Sequence, residues 1–275
     1  MFTSIDDLRE RPSMIDMKQS LNPLAGNHLA LVRRTHGIDP AQIQPQAGQL
    51  YHLSGPGRSG KSMRCVAEHW VAHALAQGRT VHWVDGACRI DPARFIPLLE
   101  AMGAEVEPCL ARLYLSRGFT LHQLDRQLER LPDELAITRS PMVVVDGLLA
   151  MHGDDAVSSL ESRTLLRRHM DILRHLAHQH HTAVVAITGH DHGPCDLARH
   201  VRYVRRHSHN HLEGTWRGRR RQRLLHIVHR RSGIQGAWQP FHRDQQTAFL
   251  LPKRRLNPQE VASSVGVLAL HHTES

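Results

Sequence analysis

The stretch GPGRSGKS, residues 55–62, decides how the rest of the chain is read. Its Gly-x-x-x-x-Gly-Lys-Ser spacing is that of a loop whose backbone N–H groups wrap a polyphosphate. Gly55, Gly57 and Gly60 let the backbone turn sharply and come close to an anion. Lys61 would reach the terminal phosphates and Ser62 would ligand Mg²⁺, so the expected nucleotide contacts run through Gly55, Pro56, Gly57, Arg58, Ser59, Gly60, Lys61, Ser62 and Met63. The competing reading is a plain Gly-rich turn. The flanks favour the phosphate loop: a mostly apolar run at 50–53 enters it, and Val66, Trp70, Ala74 and Leu75 leave it at helical spacing.

From residue 49 the text alternates strand and helix, which predicts a mostly parallel sheet flanked by helices. The first helix stops at Gly78, and a strand is expected over 80–84. Asp91 and Pro92 read as a helix cap and first turn, with Phe95, Leu98, Leu99 and Met102 as the buried stripe. A strand over 111–115 follows, then a helix opened by Thr120 with Gln123 and carrying Leu121, Leu124, Leu128 and Leu131. Residues 142–145 are wholly apolar and end in Asp146, which suits a buried strand with a carboxylate at its carboxyl end. With a phosphate loop upstream, Asp146 is expected to hold Mg²⁺ through water; a turn or cap residue is the alternative. A loop over 151–157 leads to a helix capped by Ser158 and Glu161, and a second apolar strand over 183–187 ends at Thr188, Gly189 and His190, beside the Asp146 strand. Candidate strands at 224–228, 234–238 and 247–251 read as antiparallel additions to the sheet edge.

The chain's 275 residues suit one α/β domain: an arm and linker over 1–48, a core over 49–251 and a tail over 252–275. Widely spaced cysteines (Cys65, Cys88, Cys109, Cys195), an acidic start and the lack of a long apolar run predict an intracellular protein without a membrane span, in the cytoplasm and nucleoid of a prokaryote or the nucleus of a eukaryote. The formal charge of +9 is concentrated. Residues 199–231 hold eleven arginines against one acid, Glu213, and the rest is close to neutral. Such a segment is the footprint of a polyanion, with Arg202, Arg205, Arg206, Arg217, Arg219, Arg220, Arg221 and Arg223 as candidate phosphate contacts. Tyr203 and Trp216 among them would stack on unpaired bases, favouring single-stranded DNA. A solvated face, or one meeting an acidic protein, is the alternative.

The order of parts resembles the RecA/RadA recombinase superfamily, and within it the short recombinase paralogues. The portion VVVDGLLAMHGDDAVSSLESRTLLRRHMDILRHLAHQHHTAVVAITGH is similar to the family's run from the acidic strand through the first DNA loop to the sensor strand, and LEGTW, residues 212–216, to its return from the second DNA loop. The resemblance implies a RecA-like P-loop NTPase fold, ATP and Mg²⁺ as cofactors, other RecA-like subunits as partners, and DNA loops at about 151–157 and 190–214. It also implies roles in ATP turnover for Lys61, Asp146 and His190. Two departures stand out. Where the family places a water-orienting glutamate after its second strand, this chain reads Asp85, Gly86, Ala87, Cys88. Hydrolysis is therefore expected to be weak, with Asp85 and Asp91 as the remaining carboxylates nearby. His190 stands where the family has a sensor glutamine.

Three other readings are weighed against this one. The first is a non-hydrolysing interaction subunit that binds a partner ATPase or another protein. The second is a small-molecule kinase, disfavoured because no lid or acceptor segment is evident. The third is a metal site around His190, Asp191, His192 and Cys195 or His207, His209 and His211, disfavoured because 24 histidines cluster by composition. GTP is disfavoured because no Asn-Lys-x-Asp motif occurs.

Overall fold

The computed structural model describes residues 45–57, 60–190, 195–218, 224–230 and 235–238. The expected strand at 247–251, the tail, most of the N-terminal arm, Arg58, Ser59, Asp191, His192, Arg219, Arg220, Arg221 and Arg223 lie outside them.

Eight strands form one sheet in the order β3-β2-β4-β5-β1-β6-β7-β8. They are β1 (Leu50–Gly55), β2 (Val81–Asp85), β3 (Leu113–Arg117), β4 (Met142–Asp146), β5 (Ala183–Gly189), β6 (Asn210–Arg217), β7 (Leu224–His229) and β8 (Gln235–Trp238). The first six run parallel, while β7 and β8 are antiparallel. The fold class is thus α/β, a mostly parallel sheet with antiparallel strands at one edge. The apolar runs of β1, β2, β4 and β5 are buried along their whole length, as strands covered on both faces must be.

Helices cover the two faces separately. On one face α1 (Lys61–Ala76), a 3₁₀ turn (Pro92–Phe95), α2 (Ile96–Ala101) and α3 (Val106–Leu110) enclose Trp70, Trp83, Phe95 and Leu99. On the other, α4 (Leu121–Thr138), α5 (Ser159–Gln179) and α6 (Cys195–His207) bury their leucine and valine stripes. The start signals work as their chemistry requires. Thr120 Oγ1 accepts the Gln123 N–H while Gln123 Oε1 accepts that of Phe119, and Ser158 Oγ accepts the Glu161 N–H. Gly78 takes a φ of 76° just past α1.

Four expectations are corrected. The strand foreseen at 111–115 lies two residues later, because α3 and its turn occupy the segment up to Ala111, and it forms the sheet edge with Tyr114 and Leu115 exposed. The single helix foreseen after Asp91 is a 3₁₀ turn followed by α2. The described part of the long loop foreseen at 190–214 holds α6 from Cys195 and most of β6, since Ala198, Val201 and Val204 recur every third residue and bury against α5. LEGTW is consequently the middle of a strand, paired parallel to β1 and antiparallel to β7.

Trp83 is fully buried and meets Phe95 edge-on at 5.9 Å. Trp83→Ala should lower the unfolding free energy by about 3–5 kcal/mol, read from the urea midpoint. Ile137→Ala, at a side chain 83% exposed, should change it by less than about 0.5 kcal/mol.

Candidate functional site

The helix that follows β1 covers one face and the helices that follow β4 and β5 cover the other, so the chain leaves the β1 and β5 ends in opposite directions. A crevice outside the carboxyl ends of the strands at such a switch point is where α/β sheets take ligands. The Gly-rich turn sits there. Gly57 and Gly60 have φ values of 91° and 65°, and a Cβ at Gly60 would collide with the Thr188 carbonyl oxygen at the end of β5. Only glycine lets the loop lean on that strand. Gly55 closes β1, Pro56 is half-buried, and Lys61 opens α1 with an exposed side chain. Ser62 is buried and its hydroxyl donates to the Pro56 carbonyl at 3.0 Å. The Met63 side chain is buried in the core and its N–H donates to the Gly60 carbonyl at 2.8 Å.

Asp146 ends β4 fully buried, with Asp85 of β2 as its register partner and Ile187 of β5 on its other side. Its Oδ2 accepts from Nε of Arg64, a residue of α1 that is itself buried. Burial raises the Asp146 carboxyl to about 6, with Arg64 pulling the other way and Asp85 adding to the rise. Asp85 Oδ2 accepts the Ile90 N–H at 2.9 Å and Arg117 Nε at 3.1 Å. Glu68, one turn beyond Arg64, holds Arg94 with two bonds of 2.7 and 2.8 Å. The three carboxylates therefore face three arginines. Their charge is balanced by guanidinium, and although Oδ1 of Asp146 and of Asp85 have no hydrogen-bond partner, the set lacks the excess of negative charge that Mg²⁺ needs. Asp91 caps the 3₁₀ turn through the Ala93 N–H, and Asp85 accepts at Oδ2, its buried Oδ1 having no partner. Ala87 lines a cleft of about 490 Å³ at the β2 and β4 ends, with Arg89, Phe119, Met151, Asp154 and Asp155 also on its walls.

Beneath the loop, β1, β5 and β6 are joined by buried polar side chains. His52 Nε2 meets Thr188 Oγ1 at 2.7 Å, Ser54 Oγ meets His211 Nε2 at 2.8 Å, and the two imidazoles stack at 4.7 Å. Thr188 thus connects the strand end below His190 to β1. His190 itself is half-buried at the close of β5. A second group, His152, His169 and His200, pins the 151–157 segment to α5 and α6, with ring centroids 5.6 and 5.5 Å apart. His152 Nδ1 bonds Ser162 Oγ at 3.0 Å, and His169 Nε2 bonds Asp125 Oδ1 at 3.2 Å. Arg168 shares Asp125 and also pairs with Glu129, while Asp196 and Arg163 act on His200. No group of three or more His, Cys, Asp or Glu side chains has metal-binding geometry among the described residues. His207, His209 and His211 go separate ways, to the Tyr203 carbonyl, the Leu50 N–H and Ser54.

Of the described arginines in the basic segment, Arg199, Arg202, Arg206, Arg217 and Arg230 are exposed and Arg205 is half-buried. Arg202, Arg205 and Arg206 lie on α6, and Arg217 ends β6. Tyr203 and Trp216 pack against the two cores. Sequence reasoning missed Arg64, Arg117 and both histidine groups. Arg64 had one visible signal: with Glu68 it puts two charges four residues apart among the apolar residues of the helix's buried face. No protein-family model and no curated protein matches the chain.

Burial pushes His152 down to about 3 and His169 and His211 to about 4, from 6.5. The unfolded chain therefore takes up protons first as pH falls through 6.5, and stability that is complete above that value is lost below it. Thermal unfolding should shift downward between pH 7 and 5, with a slope of up to about 1.4 kcal/mol per pH unit for each such histidine. His152→Gln should make that slope shallower, and a flat profile in the wild type would contradict the assignment.

Proposed function

We propose that the chain is a RecA-like ATP-binding protein, a recombinase paralogue that binds DNA and acts in recombination or repair. The observation that carries this reading is the junction of β1, the Gly-rich turn and α1, set at the switch point and resting on the end of β5. Polyphosphate would lie along the turn and over the first turn of α1, where N–H groups and the helix dipole favour an anion and Lys61 is free to approach it. Hydrolysis is weak: Ala87 stands where a carboxylate would orient water, and Asp91 is engaged as a cap. ATP acts chiefly as a conformational ligand, its terminal phosphate read through Gly60 and Thr188 at the strand end that carries His190.

DNA would meet the exposed arginines of α6 and β6, Arg202, Arg206 and Arg217, together with Arg205, Arg219, Arg220, Arg221 and Arg223. Tyr114, Leu115 and Phe119, exposed on and just past the edge strand β3, support association with other subunits of the same class.

The test is fluorescence anisotropy of single- and double-stranded oligonucleotides with ATP, ADP or no nucleotide, alongside calorimetric titration of ATP. Lys61→Ala should weaken ATP binding by about tenfold or more. DNA affinity should rise with ATP, favour single strands and fall steeply with salt. Absence of ATP binding by the folded wild type would remove the proposal. DNA affinity indifferent to nucleotide would remove the switch and leave the interaction-subunit reading.

A further inference from the structure

Charge matching at the strand ends bears on how a nucleotide would be held. In a phosphate-loop site that uses Mg²⁺, the strand-end carboxylate faces the hydrated ion and needs its negative charge uncommitted. Here Asp146 is committed to Arg64, Asp85 to Arg117, and Glu68 to Arg94, so three acids and three arginines form a neutral cluster behind the loop. Arg64 rises from α1 only three residues past Lys61, is 4% exposed, and places its guanidinium against the one carboxylate that would otherwise draw in the ion.

Three atoms of this cluster remain buried and unpartnered: Oδ1 of Asp146, Oδ1 of Asp85 and Nη2 of Arg64. Two are acceptors and one is a donor. Ordered water, which gives and takes hydrogen bonds, satisfies such a mixture, while the carboxylate oxygen that would face a hydrated ion stays bonded to Arg64. The remaining contact of Arg64, from Nη1 to the Arg89 carbonyl at 3.5 Å, leads toward the segment that lines the cleft.

We infer that Arg64 is the resident counter-ion of this site, so that the phosphate loop takes a nucleoside triphosphate without a divalent cation. This rests on the nucleotide reading above. Arg64 acts by occupying Asp146, and it is a positioning residue for the bound phosphates, not one that takes part in chemistry. The lack of an anchored metal also fits a chain without a carboxylate at Ala87, since neither of the groups that drive fast hydrolysis is provided.

The experiment is calorimetric titration of the full-length chain with ATP in excess Mg²⁺ and in EDTA, for the wild type and for Arg64→Gln. The wild-type Kd should differ by less than about threefold between the two conditions, and Arg64→Gln should bind about tenfold more tightly with Mg²⁺ than with EDTA, because Asp146 is released. Wild-type binding that needs Mg²⁺ overturns the inference and leaves ATP binding in place. A folded Arg64→Gln with no gain in Mg²⁺ dependence overturns the role of Arg64. No binding in either condition overturns the nucleotide reading itself. Should Arg64→Gln fail to fold, Asp146→Asn takes its place: an unchanged ratio of Kd in Mg²⁺ to Kd in EDTA is expected, and a loss of affinity confined to Mg²⁺ overturns the role of Arg64.

Discussion

Two carboxylates lie side by side at the buried ends of adjacent strands, and their neutralisation governs much of the surrounding architecture. Asp146 and Asp85 are register partners, both fully buried, and an unpaired charge in such a place costs several kcal/mol. Arg64 reaches one from the helix after the Gly-rich turn, and Arg117 reaches the other from the last residue of the edge strand. Two ion pairs therefore fasten α1 and β3 to the centre of the sheet. The guanidinium that makes burial of Asp146 tolerable comes from the first turn of the helix that follows the Gly-rich turn, so one contact ties that helix to the sheet.

What was legible in the sequence was what chemistry encodes locally. The Gly-rich turn, the apolar runs that become β1, β4 and β5, and the Thr120 and Ser158 caps can be recognised within a few residues, and the parallel core follows from their order. The pairing of Arg64 with Asp146 joins residues 82 apart in sequence and leaves no local trace beyond two charges among the apolar residues of the helix's buried face. The α6 helix escaped notice because its arginines and histidines dominate its composition, although Ala198, Val201 and Val204 hold the helical period. The family resemblance implied a loop there, when burial of one narrow apolar stripe was enough to fold a helix. The displaced β3 shows the opposite case: an edge strand with outward-facing Tyr114 and Leu115 lacks the burial pattern that marks a central one.

Histidine is abundant, and its use in the core is consistent. In both buried groups a ring nitrogen bonds a hydroxyl or a carboxylate, and the rings contact each other in stacked or edge-on geometry. Neutral imidazole serves as a flat polar spacer that links strands and loops where an aliphatic side chain would leave hydroxyls unsatisfied. One group joins β1 to β5 and β6, and the other secures the segment after β4.

Met63 carries a consequence of another kind. A Cβ on either Gly55 or Gly214 would overlap its side chain, so two glycines 159 residues apart form the notch that one methionine fills. These three positions constitute a single volume constraint written across distant parts of the gene. Among descendants of this sequence, a side chain gained at 55 or 214 requires the Met63 side chain to move or shrink, and at 214 Leu225 to give as well, so change at these positions is coupled.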